Sequence, residues 1–164
     1  MEISKTHVFN APIEKVWAMF TDETSHLAKF AYMGHTNIEL KEHTNTDDGF
    51  HLVVSREVSV DLPSFAKRVL KPTNTVVSTD NWTANGDGTY GGTFSADAKG
   101  VPIEVKGTTR IEPAADGRTS YTVNTDVQVN VPLIGGKITQ FAKGNIEQQM
   151  VDEFACGDTW LADH

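Results

Sequence analysis

The chain has 164 residues, 38% hydrophobic and 22% charged, which excludes a disordered or fibrous protein and fits one domain over residues 1–164. Its 22 acidic against 14 basic residues give a formal net charge of −8, and no Lys/Arg cluster is available to track phosphates. This balance argues against nucleic acid as a partner and against stable attachment to an anionic membrane.

Residues Ile3 to Phe9 read as a first strand. Asn10, Pro12 and Glu14 then supply a helix cap, a preset first-turn φ and an acid near the positive end of the dipole. A helix is predicted over Ile13 to Phe20, with Val16, Trp17 and Phe20 at helical spacing. A second follows from Thr24 to Tyr32, with Leu27, Phe30 and Ala31 on one side, and stops at Gly34.

From Thr36 the period falls to two. Ile38 and Leu40 alternate with Glu39 and Lys41, Phe50, Leu52, Val54 and Val58 with His51, Ser55 and Glu57, and Ile103, Val105 and Ile111 with Glu104, Lys106 and Arg110. The alternation is clearest from Ser120 to Val131, where Tyr121, Val123, Val127, Val129 and Val131 share one phase. One dry and one wet face is the pattern of antiparallel pairing. The turns Asp47-Asp48-Gly49, Asn85-Gly86-Asp87-Gly88, Lys99-Gly100 and Asp116-Gly117 have hairpin chemistry, so the strands form a meander.

Two segments interrupt this order or leave it open. Leu62 to Pro72 is bounded by proline, has weak helical spacing, and reads as a lid or edge connection. The next strand, Thr73 to Thr83, has no clear apolar phase.

After Pro132 the helical period returns, with Ile134, Ile138, Phe141, Ile146, Met150, Phe154 and Leu161 along one side. Gly135, Gly136 and Gly144 are costly in a helix interior, by about 1 kcal/mol each. They mark either a frayed or bent start or a close approach of sheet or ligand to the backbone.

A one-sided sheet must bury its dry face, and only the last helix is long enough to cover it. An α+β architecture follows: a curved antiparallel sheet of six to seven strands around a long C-terminal helix, with two short helices after the first strand. One helix about 10 Å wide cannot fill such a concavity, so an apolar cavity is expected beneath it.

This element order resembles the START-like (SRPBCC, helix-grip) superfamily. The stretches Trp82 to Gly88, Pro113 to Gly117 and Val131-Pro132-Leu133-Ile134-Gly135-Gly136-Lys137-Ile138, with the apolar strand before Leu62-Pro63, resemble a family of uncharacterised START-like proteins common in actinobacteria. The resemblance implies a binder of lipids, sterol-like molecules or aromatic and polyketide-like compounds. Some members of the superfamily cyclise or dehydrate such molecules, and others regulate partner proteins. It carries over no catalytic residue and no cofactor. Binding without catalysis is therefore the leading expectation, with a polyketide cyclase or dehydratase, or a partner-binding module, as the alternatives.

The literal G-x-G-x-x-G at Gly86 to Gly91 joins two strand-like segments instead of opening a helix, so it reads as a hairpin and not as a dinucleotide site. The six histidines are scattered without metal-ligand spacing, so no metal site is expected. Cys156 reads as a small core residue. As the only cysteine it fits a reducing cytoplasm, as do Met1 to His7, which lack the pattern of a secretory signal. No apolar run approaches the about 20 residues of a membrane span.

Arg56 falls on the apolar phase between Val54 and Val58. It either snorkels to water from an edge or bulge, or faces the cavity and needs a partner, such as a ligand carboxylate. Asp80 and Trp82 share one phase; if that phase faces inward, Asp80 joins Arg56 as a polar pair in an apolar pocket. The candidate ligand-binding set is Leu40, Val54, Arg56, Asp80, Trp82, Phe94, Val105 and Phe141, with Trp82, Phe94 and Phe141 able to stack on a planar ligand.

Overall fold

A computed structural model describes all of residues 1–164. The chain runs β1 (Glu2–Phe9), α1 (Ile13–Thr21), α2 (Glu23–Tyr32), β2 (Thr36–Thr46), β3 (Gly49–Ser59), β4 (Thr73–Ala84), β5 (Tyr90–Ala98), β6 (Ile103–Pro113), β7 (Thr119–Val129) and α3 (Gly135–Asp163). The seven strands form one sheet in the order β1-β7-β6-β5-β4-β3-β2. Every pairing is antiparallel.

Local chemistry explains most boundaries. Pro12, not the expected Asn10, occupies the N-cap of α1, and its carbonyl accepts from the Lys15 and Val16 amides. No side chain caps that helix. Asp22 caps α2, accepting from the Thr24 amide at 2.9 Å and the Thr24 hydroxyl at 2.6 Å. The chain then turns at Gly34, where φ is +81° and a side chain would be strained. The glycine-rich run from Gly86 forms the β4–β5 turn, closed by Asn85 and Asp87 bonds to Thr89, and Gly91 already lies in β5.

Period-two burial is cleanest in β7, where Thr119, Tyr121, Val123, Thr125 and Val127 face inward. In β3 the inward residues are Phe50, Leu52, Val54 and Arg56. β2 departs from this pattern. It is an edge strand with two register shifts against β3, nearly all of it exposed, and the bulges turn Leu40 outward to 41% exposure. Leu40 therefore lies on the outer surface and not beside a cavity.

α3 packs along the concave face with Ile138, Ala142, Met150, Phe154, Gly157 and Leu161 buried. At Gly157 the helix approaches so closely that an added Cβ would stand 2.6 Å from the Phe9 ring. A Cβ at Gly135, Gly136 or Gly144 would meet no protein atom within 4 Å, so close approach of the sheet does not account for those three. Between Ala142 and Met150 no residue of α3 is fully buried, which is where the helix bridges a void. The segment 60–72 forms turns instead of a helix. Its Ala66 and Leu70 are buried against Ile138, closing the sheet against the first turns of α3.

Candidate functional site

Between the sheet and α3 lies a cavity of about 270 Å³, and 20 of its 34 lining residues are hydrophobic. Strand register explains the wall. Asp80 on β4 stands opposite Leu52 on β3 and Phe94 on β5, Phe94 opposite Gly107, and Gly107 opposite Thr125. Gly107 is required here because a Cβ would collide with the Phe94 ring, 2.7 Å away, and with the Asn124 carbonyl. The ring lies over the bare backbone and caps it.

Of the eight expected residues, Arg56, Asp80, Trp82, Phe94, Val105 and Phe141 lie together on this wall. Val54 is buried in the core and does not line the cavity, and Leu40 is on the exposed edge strand. Trp82 belongs to an aromatic cluster, stacked on Phe20 at 4.8 Å and on Phe50 at 6.0 Å. Phe141 packs beside the buried Ala66, Leu70 and Ile138.

Arg56 neither snorkels nor sits on a bulge. It pairs in register with Val76 and is 8% exposed. Its Nε donates to His35 Nδ1 at 3.1 Å and its Nη1 to Ser78 Oγ at 2.8 Å, and the guanidinium lies 3.9 Å from the centre of the Phe30 ring. A His35 that accepts on Nδ1 must be neutral, and burial, with the Arg56 charge, lowers its pKa to about 4. Burial also lowers the pKa of Arg56, against the opposing charges of Glu153 and Asp80. No carboxylate lies within ion-pair distance of the guanidinium, and Nη2 has no protein hydrogen bond.

Asp80 shares the cavity wall with Arg56 but is not bonded to it. Its carboxylate makes no protein hydrogen bond or ion pair, and burial raises its pKa to about 6 despite the nearby Lys29. The part of its surface left uncovered opens on the cavity. Tyr121 is buried with its hydroxyl likewise unbonded to protein, and burial raises its pKa, with Glu153 and Asp80 adding to the effect. An apolar chamber thus contains Arg56 Nη2, Asp80, the Tyr121 hydroxyl and the buried Thr109 hydroxyl, polar groups whose hydrogen-bonding capacity the protein leaves unused.

Sequence reasoning missed Lys29, Phe30, His35, Tyr121 and Glu153 as site residues. Tyr121 was marked by its dry phase. His35 follows Gly34 outside any periodic segment, and Lys29 and Glu153 read as ordinary charges on helix surfaces until α2 and α3 meet. Cys156 also departs from expectation: it is half-buried and lines a second cavity instead of the core. No three His, Cys, Asp or Glu side chains converge as a metal site would require, and no helix is long and apolar enough to cross a membrane.

Residues 4–161 match the family described as "Protein of unknown function (DUF2505)". No curated protein matches the sequence. Solved structures similar to the chain include the Zhui aromatase/cyclase from Streptomyces sp. R1128, at TM-score 0.67 and 15% identity, covering 99% of this chain and 93% of that one. Ara h 8.0201 is similar at TM-score 0.62 and 18% identity, covering 100% and 99%. Human STARD10 is similar at TM-score 0.63 and 12% identity, covering 99% and 66%. Identities this low speak for the fold. The chain has the helix-grip fold: a seven-stranded curved antiparallel sheet closed around a long C-terminal helix.

Proposed function

The chain belongs to the DUF2505 family, whose description assigns no activity, and from that premise we propose that it binds a small hydrophobic molecule between the sheet and α3. The observation that carries this reading is the apolar chamber with unused polar atoms on Asp80, Tyr121 and Arg56. A polar group left unpaired in an enclosed site costs about 1–3 kcal/mol, a deficit that a ligand's own hydrogen bonds would offset. The ligand class is a lipid, a sterol-like molecule or an aromatic or polyketide-like compound. A volume of about 270 Å³ stands near the small end of ligand pockets and by itself favours a compact ring system over a two-chain lipid. The lone Cys156 supports action in a reducing cytoplasm.

The test is native mass spectrometry of protein purified from cells, followed by titration with aromatic and sterol-like compounds. Trp82 lines the chamber, so its fluorescence reports occupancy. A retained ligand, or a saturable fluorescence change, supports the proposal. Protein that arrives empty and ignores every compound class defeats it.

One observation favours an enzymatic reading as a second possibility. A carboxyl group that titrates near 6 inside a cavity can take up and return a proton at neutral pH, as cyclisation or dehydration demands. The similar fold of an aromatase/cyclase points the same way. Incubation with linear poly-β-ketones tests it: a cyclised product that is lost in Asp80→Asn supports catalysis, and unchanged substrate refutes it.

A further inference from the structure

The space under the sheet does not end at α2. A second cavity, about 260 Å³, lies beside the C-terminal half of α3 and is lined by Phe9, Met19, Cys156, Gly157 and Trp160 among others. It shares Phe20, His26, Lys29, Tyr121 and Glu153 with the first, so these five residues form the wall between the two.

Four of the wall's features differ in how easily they could yield. Phe20 is stacked on Trp82, and His26 is held by a bond between its Nε2 and the Phe20 carbonyl at 2.7 Å. Tyr121 is packed between Phe9 and Phe154. Moving any of these disturbs the core. Lys29 and Glu153 face each other at 3.9 Å, the limit of an ion pair; neither side chain makes a hydrogen bond, and the one further contact of the ammonium is with the face of the Phe30 ring, 4.7 Å from its centre. Both keep part of their surface accessible, 20% and 34%. Such a pair contributes little to stability and parts by side-chain rotation, leaving the backbone in place.

We propose that the Lys29–Glu153 pair is a removable partition, and that the occupant is an elongated amphiphile with apolar groups at both ends and a hydrogen-bonding group near its middle. One end lies against Phe94 and Phe141 in the first chamber and the other against Met19 and Trp160 in the second. The middle passes Tyr121, which belongs to the dividing wall, and Asp80 in the first chamber, neither of which has a protein partner. This rests on the reading that the first chamber holds a ligand, and it adds the ligand's length and the position of its polar group.

The only cysteine in the chain lines the second chamber, so its labelling reports occupancy there, whereas tryptophan fluorescence reports binding in either chamber, because Trp82 lines the first and Trp160 the second. The probes are 4-alkylphenols of increasing chain length, titrated by Trp fluorescence, with the rate of maleimide labelling of Cys156 followed at pH 8.5. Short members are expected to bind without altering the labelling rate. Long members are expected to slow it by fivefold or more, with affinity still rising about threefold to fourfold per methylene beyond the length that fills the first chamber. In Lys29→Ala/Glu153→Ala the ratio of long-member to short-member affinity should rise at least threefold over that of the wild type. An affinity that levels off with length, together with unchanged Cys156 labelling at saturation, overturns the two-chamber proposal while leaving ligand binding intact. Failure of every member to bind overturns both.

Discussion

Asp80→Asn should stabilise the protein, and by an amount that depends on pH. Asp80 sits on the cavity wall with no ion pair or hydrogen bond, and burial carries its pKa from 3.8 to about 6. The folded state therefore holds this proton more tightly than the unfolded chain. That preference contributes its full stabilisation below about pH 4, and the contribution is lost as pH rises through 6. Above pH 7 the folded protein carries a desolvated carboxylate costing about 3 kcal/mol, from a displacement of roughly two pKa units. At pH 5 about half of that cost remains. Asn fills the same volume without the charge. Urea denaturation of both proteins at pH 5 and pH 8 should give a stability gain for Asn that is about 1–2 kcal/mol larger at pH 8. Comparing the two proteins at each pH cancels the titration of the other groups. A difference that is constant with pH, or a mutant less stable at pH 8, would refute the account. It would mean that Arg56 or Lys29 holds the carboxylate in its charged form.

The remaining expectations concern packing and the buried imidazoles. His26 has its pKa lowered to about 3, chiefly by burial; the folded state resists protonation, so stability should fall as pH drops below 6.5. Replacing it with Asn should remove about 3 kcal/mol of that loss at pH 4, as read from unfolding curves. Gly157→Ala would gain about 1 kcal/mol of helix propensity. The Cβ contact with the Phe9 ring should outweigh this, lowering the melting temperature, and Phe9→Leu should restore part of it. Trp82→Ala should destabilise by about 3–5 kcal/mol, whereas Trp82→Phe should fold and keep ligand affinity within a few fold. If Trp82→Ala unfolded at the wild-type denaturant concentration, Trp82 would not be the core anchor its stacking on Phe20 and Phe50 implies.

Much of the architecture was legible because two periods separate cleanly along the chain. The alternation from Thr119 to Val129 and the stripe from Ile138 to Leu161 each name the face that turns inward. Where a strand has an irregular register the pattern misleads. Ile38 and Leu40 alternate correctly, yet β2 is an edge strand and its bulges turn Leu40 out. The phase of β4 was unreadable because polar residues stand on both of its faces, and only pairing with β3 and β5 brings Ser78, Asp80 and Trp82 inside. Arg56 was conspicuous in the sequence as a charge in an apolar run. Its partners were not, since His35 and Ser78 lie 21 and 22 positions away with no local pattern to join them. Lys29 and Glu153 belong to helices that meet only after folding.

The pairing of β1 with β7 has a consequence for how the chamber comes into being. All other strand neighbours are consecutive along the chain, while the β1–β7 ladder runs from Glu2 opposite Asp126 to Phe9 opposite Thr119. As the chain leaves the ribosome, the hairpins from β2 to β7 can zip one after another, over short loops except for the segment 60–72 between β3 and β4. β1, made before all of them, has no partner until β7 has been made. Closing so long a loop is entropically costly and makes long-range pairing slow. The same closure brings Phe9 under Gly157 and draws α1 and α2 across the open end of the sheet. Nascent chains stalled before Thr119 should accordingly bind no hydrophobic dye specifically. Competence to hold a ligand would then be acquired in the step that pairs β1 with β7, and not strand by strand as the meander grows.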